Sequence, residues 1–180
     1  RDWSSDVCSS DLKILFSGDL GRPNDLTMFE PEPVAQADYL IVESTYGNRK
    51  HDGTNAEDAL AAIIGKTAAR GGTVVIPSFA VGRTQSLLVH LYRLKQARRI
   101  PDLPIFLDSP MAIDASEIFC AHPNDHKLSA EQACNMFAVA KYVHTPEESK
   151  ALDGNGSPKV ILSASGMATG GRVLHHLKSY

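Results

Sequence analysis

The sequence predicts an α/β protein with a mostly parallel sheet flanked by helices, and three observations lead there. From Lys13 onward, short apolar β-prone runs alternate with segments of helical period. Helix-start signals such as Thr145-Pro146 with Glu148 separate the runs, so the crossovers are helical and right-handed. The loops richest in glycine and hydroxyl residues follow the strands, at the carboxyl ends where such sheets gather ligands.

The elements follow in order. "ILFSGDLGR", Ile14 to Arg22, is a strand running into a glycine-flanked turn that sets down one carboxylate, Asp19. "RPNDLTMFEPEP" is rich in proline and acid and reads as loop. "ADYLIVES", Ala37 to Ser44, is a second buried strand and delivers Glu43 at its end. Thr54 and Glu57 form a capping-box pattern opening a helix that shows Leu60, Ile63, Ile64 and Thr67 on one face and ends at Arg70-Gly71-Gly72. "TVVIPSF" is a strand, and Thr84 to Arg99 a helix with Leu87, Leu88, Leu91 and Leu94 in a stripe. "LPIFLDS" is the next strand, Met111 to His122 a helix, Leu128 to Val139 another, and "KYVH" a short strand. Thr145, Pro146 and Glu148 supply N-cap, first helical residue and capping-box partner for a short helix; "KVILSAS" is a strand, and a helix begins at Arg172.

Composition sets limits. The 180 residues, 43% apolar, can build a core for one ordinary domain or for parts of two. With 18 basic against 21 acidic residues, the formal charge of −3 offers no whole-surface attraction to nucleic acid or to an anionic membrane. Cys8, Cys120 and Cys134 lie far apart in sequence without a CxxC pair, which suggests neither a thiolate zinc site nor a disulfide framework and makes a reducing cytoplasm the default. No apolar run approaches the roughly 18 residues of a membrane helix. "RDWSSDVCSSDL", Arg1 to Leu12, repeats Ser-Ser-Asp and reads as a non-native leader, and the last helix stops without a cap. The chain is therefore expected to be an internal fragment of a larger protein.

The loops carry the candidate chemistry. "SASGMATGGR", Ser163 to Arg172, lets backbone N–H groups approach an anion at a helix start, yet a tight strand-to-helix turn needs glycine for shape alone, so both readings stand. Arg83 in "PSFAVGRTQ" meets either a bound anion or a nearby carboxylate. Asp108 in "FLDSPMA" is an N-cap candidate beside the equally good Ser109, and its role stays open. The seven histidines include no HxH or HExxH, and only His51, eight residues after Glu43, falls near the proposed site, with no role assigned. Asp19 and Glu43 look like half of a metal site whose imidazole partners lie elsewhere.

Taken in order, "SGDLGR", "LIVESTYGNR", "IPSFAVGRTQSLL", "DSPMA" and "SASGMATGGRVLHHLK" closely resemble the β-CASP branch of the metallo-β-lactamase fold, the RNA-processing nucleases. The resemblance implies that residues 13–48 are the C-terminal remnant of a metallo-β-lactamase domain and that residues 49–180 are most of a β-CASP domain. It makes Asp19 the carboxylate bridging two zinc ions and Glu43 an acid beside the active site. Ser163, Ser165, Gly166, Gly170, Gly171, Arg83 and Arg172 become the substrate-facing wall for RNA. The family's HxHxDH cluster and late histidines are missing from these 180 residues, so the fragment alone is expected to be inactive although its parent hydrolyses RNA, as an endonuclease, a 5′-exonuclease or both. A noncatalytic RNA-binding scaffold of the same fold and a metallo-hydrolase of a small ester are the alternatives. The expected location is cytoplasmic, without membrane attachment, and homodimerisation is left open.

Overall fold

The computed structural model describes residues 12–50, 53–154 and 156–180. Residues 1–11 of the stretch read as a leader, and His51, lie outside the described residues. The chain divides into two compact units, Arg1–Gly53 and Thr54–Tyr180.

In the first unit, β1 (Ile14–Phe16) and β2 (Tyr39–Ile41) pair in parallel, Ile14 opposite Tyr39 and Phe16 opposite Ile41. Ser17 N–H donates to the Ile41 carbonyl at 2.9 Å and Lys13 N–H to Asp38 Oδ2 at 2.8 Å, closing the two ends of the ribbon. The strand expected over Ala37 to Ser44 is thus reduced to three residues, because its partner offers only three to pair with. Nor is it buried: Phe16 is 67% exposed and Tyr39 and Leu40 59% each. Parallel strands ordinarily have both faces covered, and two strands alone are marginal in water, so this ribbon has the composition of an interior element and the exposure of an uncovered one. The connecting loop is organised by Asp25 Oδ1, which accepts from Thr27 N–H, Thr27 Oγ1 and Met28 N–H at 2.8 Å each.

The second unit alternates strand and helix. It comprises α1 (Ala56–Ala69), β3 (Thr73–Pro77), α2 (Arg83–Gln96), β4 (Ile105–Asp108), α3 (Pro110–Ala121), a 3-10 turn (Pro123–Asp125), α4 (Ala130–Phe137), β5 (Lys141–Tyr142), α5 (Pro146–Asp153), β6 (Lys159–Ser163) and α6 (Val173–Ser179). The four strands lie in the order β3-β6-β4-β5, all parallel. Central β6 is buried at all five positions. Its Lys159 carries the ammonium out along its stem to the Leu152 carbonyl at 2.7 Å and Tyr180 Oη at 3.1 Å. Helices contribute Ile64, Leu88, Val89, Leu91, Leu94, Ile113 and Phe137 to the core against Ile105, Leu107 and Val160 to Leu162.

Local chemistry explains the departures from the sequence reading. The cap of α1 is Asn55, one residue past Thr54: Asn55 Oδ1 accepts from Glu57 N–H at 2.9 Å and Asp58 N–H at 3.3 Å. Asn caps at least as well as Thr, and Glu57, instead of closing a box, faces His90 Nδ1 at 3.0 Å. Ile63 turns outward at 55% exposure while Ile64 and Thr67 carry the buried face. Helix α2 stops at Gln96 rather than Arg99, because Arg98 takes a φ of +53° that no helix accommodates. The expected capping box at Thr145/Glu148 forms, and a further one, not read from the sequence, forms at Ser129/Gln132. Cys120 on α3 and Cys134 on α4, far apart in sequence, are neighbours: burial first, then a hydrogen bond with Cys134, pushes the Cys120 thiol up to about 12.

In the 180-residue polypeptide, hydrogen exchange by mass spectrometry should find the Tyr39–Ile41 amides exchanging orders of magnitude faster than those of Val160–Leu162. Equal protection of the two strands would show that the ribbon is covered after all.

Candidate functional site

In the first unit, the turn after β1 is tied to the residue after β2. Ser17 Oγ accepts from Glu43 N–H at 2.9 Å and donates to the Gly18 carbonyl at 2.8 Å. Glu43 Oε1 accepts from Leu20 N–H at 3.0 Å. Gly18 and Gly21 hold φ values of +52° and +72°, so the chain reverses on either side of Asp19 in conformations that side-chain-bearing residues rarely adopt. Glu43 thus straps the turn that presents Asp19, gripping the amide of the very next residue. The Asp19 carboxylate is exposed, and no hydrogen bond or ion pair within the described residues engages it. One acid positions; the other is left available.

In the second unit, Pro77, Ser163 and Asp108 are register partners, so β3, β6 and β4 end level and their loops leave a common line. Ser109, not Asp108, caps α3, its Oγ accepting from Ala112 N–H at 3.2 Å. Asp108 is instead wholly buried. Its Oδ1 accepts from Arg172 Nη1 at 2.7 Å, and its Oδ2 from His176 Nε2 at 2.8 Å and from Ser149 Oγ at 2.5 Å. His176, equally buried, turns Nδ1 to Asp153 Oδ1 at 2.6 Å. A ring with a carboxylate on each nitrogen is held as the imidazolium, since both nitrogens must donate. Burial pulls the His176 pKa down, but the hydrogen bonds to Asp108 and Asp153 and their charges outweigh it and leave it raised. Burial pushes Asp108 up, and the bonds from His176, Ser149 and Arg172 with the Arg172 charge outweigh that and leave it lowered.

The wall residues divide by geometry. Arg172 spends its guanidinium inward, adding the Val143 carbonyl at 3.1 Å and the His144 carbonyl at 2.8 Å to Asp108. Ser163 is buried and donates to the Asp108 carbonyl at 3.2 Å. A Cβ on Gly166 would stand 2.7 Å from Phe79 Cδ2, and one on Gly171 2.6 Å from the Ala164 carbonyl oxygen, so shape alone requires both glycines. Gly170 meets no such crowding. Ser165 holds the loop through its carbonyl, which accepts from Ala168 N–H at 3.0 Å. Arg83 is exposed, its guanidinium engaged by no hydrogen bond or ion pair among the described residues.

A Beta-Casp domain matches residues 84–180, more than half of the chain. The chain belongs to the Beta-Casp family. Among its relatives, Ribonuclease TTHA0252 of Thermus thermophilus is 37% identical over 92% of this chain and 39% of its own length. Transcription termination factor FttA of Methanosarcina mazei is 33% identical over 93% and 28%. Cleavage and polyadenylation specificity factor 73 of Drosophila melanogaster is 29% identical over 89% and 24%. The chain therefore spans two fifths or less of the length of these relatives.

Beta-Casp proteins are metal-dependent. The described residues do not by themselves fit a complete metal centre: among them no three His, Cys, Asp or Glu side chains converge as ligands, and Asp19 supplies a single carboxylate. No helix among them is long and apolar enough to cross a membrane.

The buried network is what the residue-by-residue reading missed. The signal was present: Arg172 and His176 are four apart, hence on one face of a helix, and both answer a strand-end aspartate followed by its own capping serine. Removing one partner of such a buried set costs about 3–5 kcal/mol, so His176→Ala should unfold at markedly lower denaturant than the parent. The pH profile carries the sign. The raised His176 pKa gives stability that is full below the ordinary imidazole range and lost as pH climbs through the folded value. The lowered Asp108 pKa gives stability present above the ordinary carboxylate range and lost as pH falls through its folded value. Chemical denaturation from acid to alkaline pH should show both limbs in the parent, with the alkaline limb flattened in His176→Ala.

Proposed function

We propose that the protein containing this chain hydrolyses RNA phosphodiester bonds, with Asp19 as a carboxylate ligand shared between two zinc ions whose remaining ligands lie outside the described residues. The observation carrying the reading is the contrast between two acids at one turn, Asp19 on it and Glu43 reaching it from just past the end of β2. Glu43 is engaged by a backbone amide, whereas Asp19, one residue before that amide, has no partner among the described residues and is presented by two positive-φ glycines. An exposed acid so precisely placed fits the work of ligation better than that of packing. Relatives named as a ribonuclease and as a cleavage factor supply the substrate class. In this reading Arg83 and the loop through Ser165, Gly166 and Gly170 face the RNA, residues 13–48 belong to the metal-bearing domain and residues 49–180 to the Beta-Casp domain, and the protein works in the cytoplasm.

In the full-length protein, Asp19→Ala should lose zinc, measured by inductively coupled plasma mass spectrometry, and should lower RNA cleavage by more than the roughly 10–100-fold typical of groups that merely support metal ligands. Glu43→Gln, which loosens the turn without removing a ligand, should fall within that range. Near-parental cleavage by Asp19→Ala would end the assignment.

With few basic groups available, such as Arg22, Arg49 and Arg83, RNA affinity should fall with salt at a shallow slope of about 0.7 per phosphate contact. A steep slope, measured by filter binding across a salt series, would contradict a site built on a few local contacts.

A further inference from the structure

Three apolar side chains stand exposed where the second unit's level strand ends release their loops. Phe79, two residues past β3, is 54% exposed; Met167, four past β6, and Met111, three past β4, are 68% each. Because β3, β6 and β4 are consecutive neighbours whose ends are in register, these residues leave a line of strands spaced roughly 4.8 Å apart. Phe79 is also held. Its ring rests on Gly166, where a Cβ would come within 2.7 Å, and its carbonyl accepts from Thr84 Oγ1 at 2.7 Å. A flat ring fixed in advance loses little freedom when a ligand arrives.

The electrostatics of the same loops select the ligand. In a chain of net charge −3, the loops Ser78–Gly82 and Ala164–Gly171 contain no acidic residue, and Asp108 at the end of β4 is buried and neutralised by Arg172 and His176, while Asp114, three residues past Met111 on α3, is an exposed acid. The loop after β3 ends in the exposed, uncommitted cation of Arg83. Two acid-free loops carrying exposed apolar side chains beside the Arg83 guanidinium complement a molecule with flat π-faces on an anionic backbone, and polarisable thioethers also make favourable contacts with such faces.

We propose that Phe79, Met167 and Met111 form a shelf on which unpaired nucleobases of single-stranded RNA stack, with Arg83 holding an adjoining phosphate. This rests on the RNA reading above and adds to it a binding contact for bases. The shelf recognises π-faces rather than base edges, so it favours unpaired segments without fixing their sequence.

The test uses the full-length protein carrying Asp19→Ala, which holds RNA uncut, and measures anisotropy with a labelled single-stranded RNA and with an abasic ribose-phosphate oligomer of equal length. Adding Phe79→Ala should weaken RNA binding roughly tenfold, as expected for loss of one stacked base, with less than about a twofold change for the abasic oligomer. Phe79→Trp should bind RNA at least as tightly as Phe79 does. Met167→Ser and Met111→Ser should each weaken RNA binding selectively, and these two positions test the shelf even if Phe79→Ala folds poorly. RNA affinity unchanged in all three truncations, or equal losses for RNA and abasic oligomer, would overturn the shelf while leaving RNA as substrate. A change of sedimentation with unaltered RNA affinity would overturn it in favour of an interface between copies. Failure of the Asp19→Ala protein to bind any RNA, with an intact parent that cleaves none, would remove the RNA reading itself.

Discussion

A buried carboxylate at the end of β4 organises the second unit. Taking the Asp108 charge out of water costs several kcal/mol unless cations and hydrogen bonds replace the lost hydration. The replacement comes from three separate elements: Arg172 at the entrance to α6, His176 one turn further along it, and Ser149 on α5. His176 passes the demand on to Asp153 at the end of α5, and Arg172 passes it to the carbonyls of Val143 and His144 just beyond β5. The charges balance, two acids against two cations, and most donors find an acceptor. The consequence is geometric. The nine-residue loop between β6 and α6 is anchored at its far end by Arg172, and just before its near end Ser163 bonds to the Asp108 carbonyl, so a glycine-rich loop with little side-chain packing of its own is held at both ends by one residue.

That arrangement explains why part of the site was legible in the sequence and part was not. Strand-helix alternation, the parallel sheet and the loop-bearing carboxyl edge follow from local periodicity and capping chemistry, and the capping boxes at Thr145 and Ser129 are local in the same sense. Asp19 and Glu43 could be found because a carboxylate in a glycine-flanked turn after an apolar run is anomalous within a window of ten residues. The partnership of Asp108 with Arg172 and His176 spans more than sixty positions, and no window contains it. The same limit hid the meeting of Cys120 with Cys134 across two helices. Where the local reading of the helices erred, at Thr54, Ile63 and the end of α2, the margin was one to three residues or one face, the scale at which neighbouring caps and tertiary packing compete with propensity.

The two strand-end aspartates make a useful contrast. Each follows an apolar run and precedes a glycine- or proline-bearing turn, and composition does not distinguish them. Burial and partners do. Asp108 accepts three side-chain hydrogen bonds in the interior, leaving it little capacity for a ligand, whereas Asp19 keeps its acceptor capacity and faces solvent, with the strap from Glu43 limiting how far its turn can wander. A ligand-binding carboxylate must be positioned without being satisfied, and a structural one must be satisfied in order to be buried at all.

The same logic bears on the apolar side chains at the carboxyl edge. Exposed single hydrophobes are ordinary on protein surfaces and need no account. Phe79 differs because its neighbour is a glycine that admits no side chain, and because its own loop and that of Gly166 contain no acids while Asp108 at the level end of β4 is buried and neutralised. Neutralising Asp108 internally therefore does more than hold the loop: an unpaired anion at the end of β4 would repel a polyanionic strand lying across the edge, with Coulomb energies on the order of 4 kcal/mol at 4 Å in a medium of effective dielectric 20. Pairing it with Arg172 and His176 removes that barrier and leaves Arg83 as the unpaired charge at the start of α2. The interaction that fixes the loop's shape also sets the sign of the surface the loop presents.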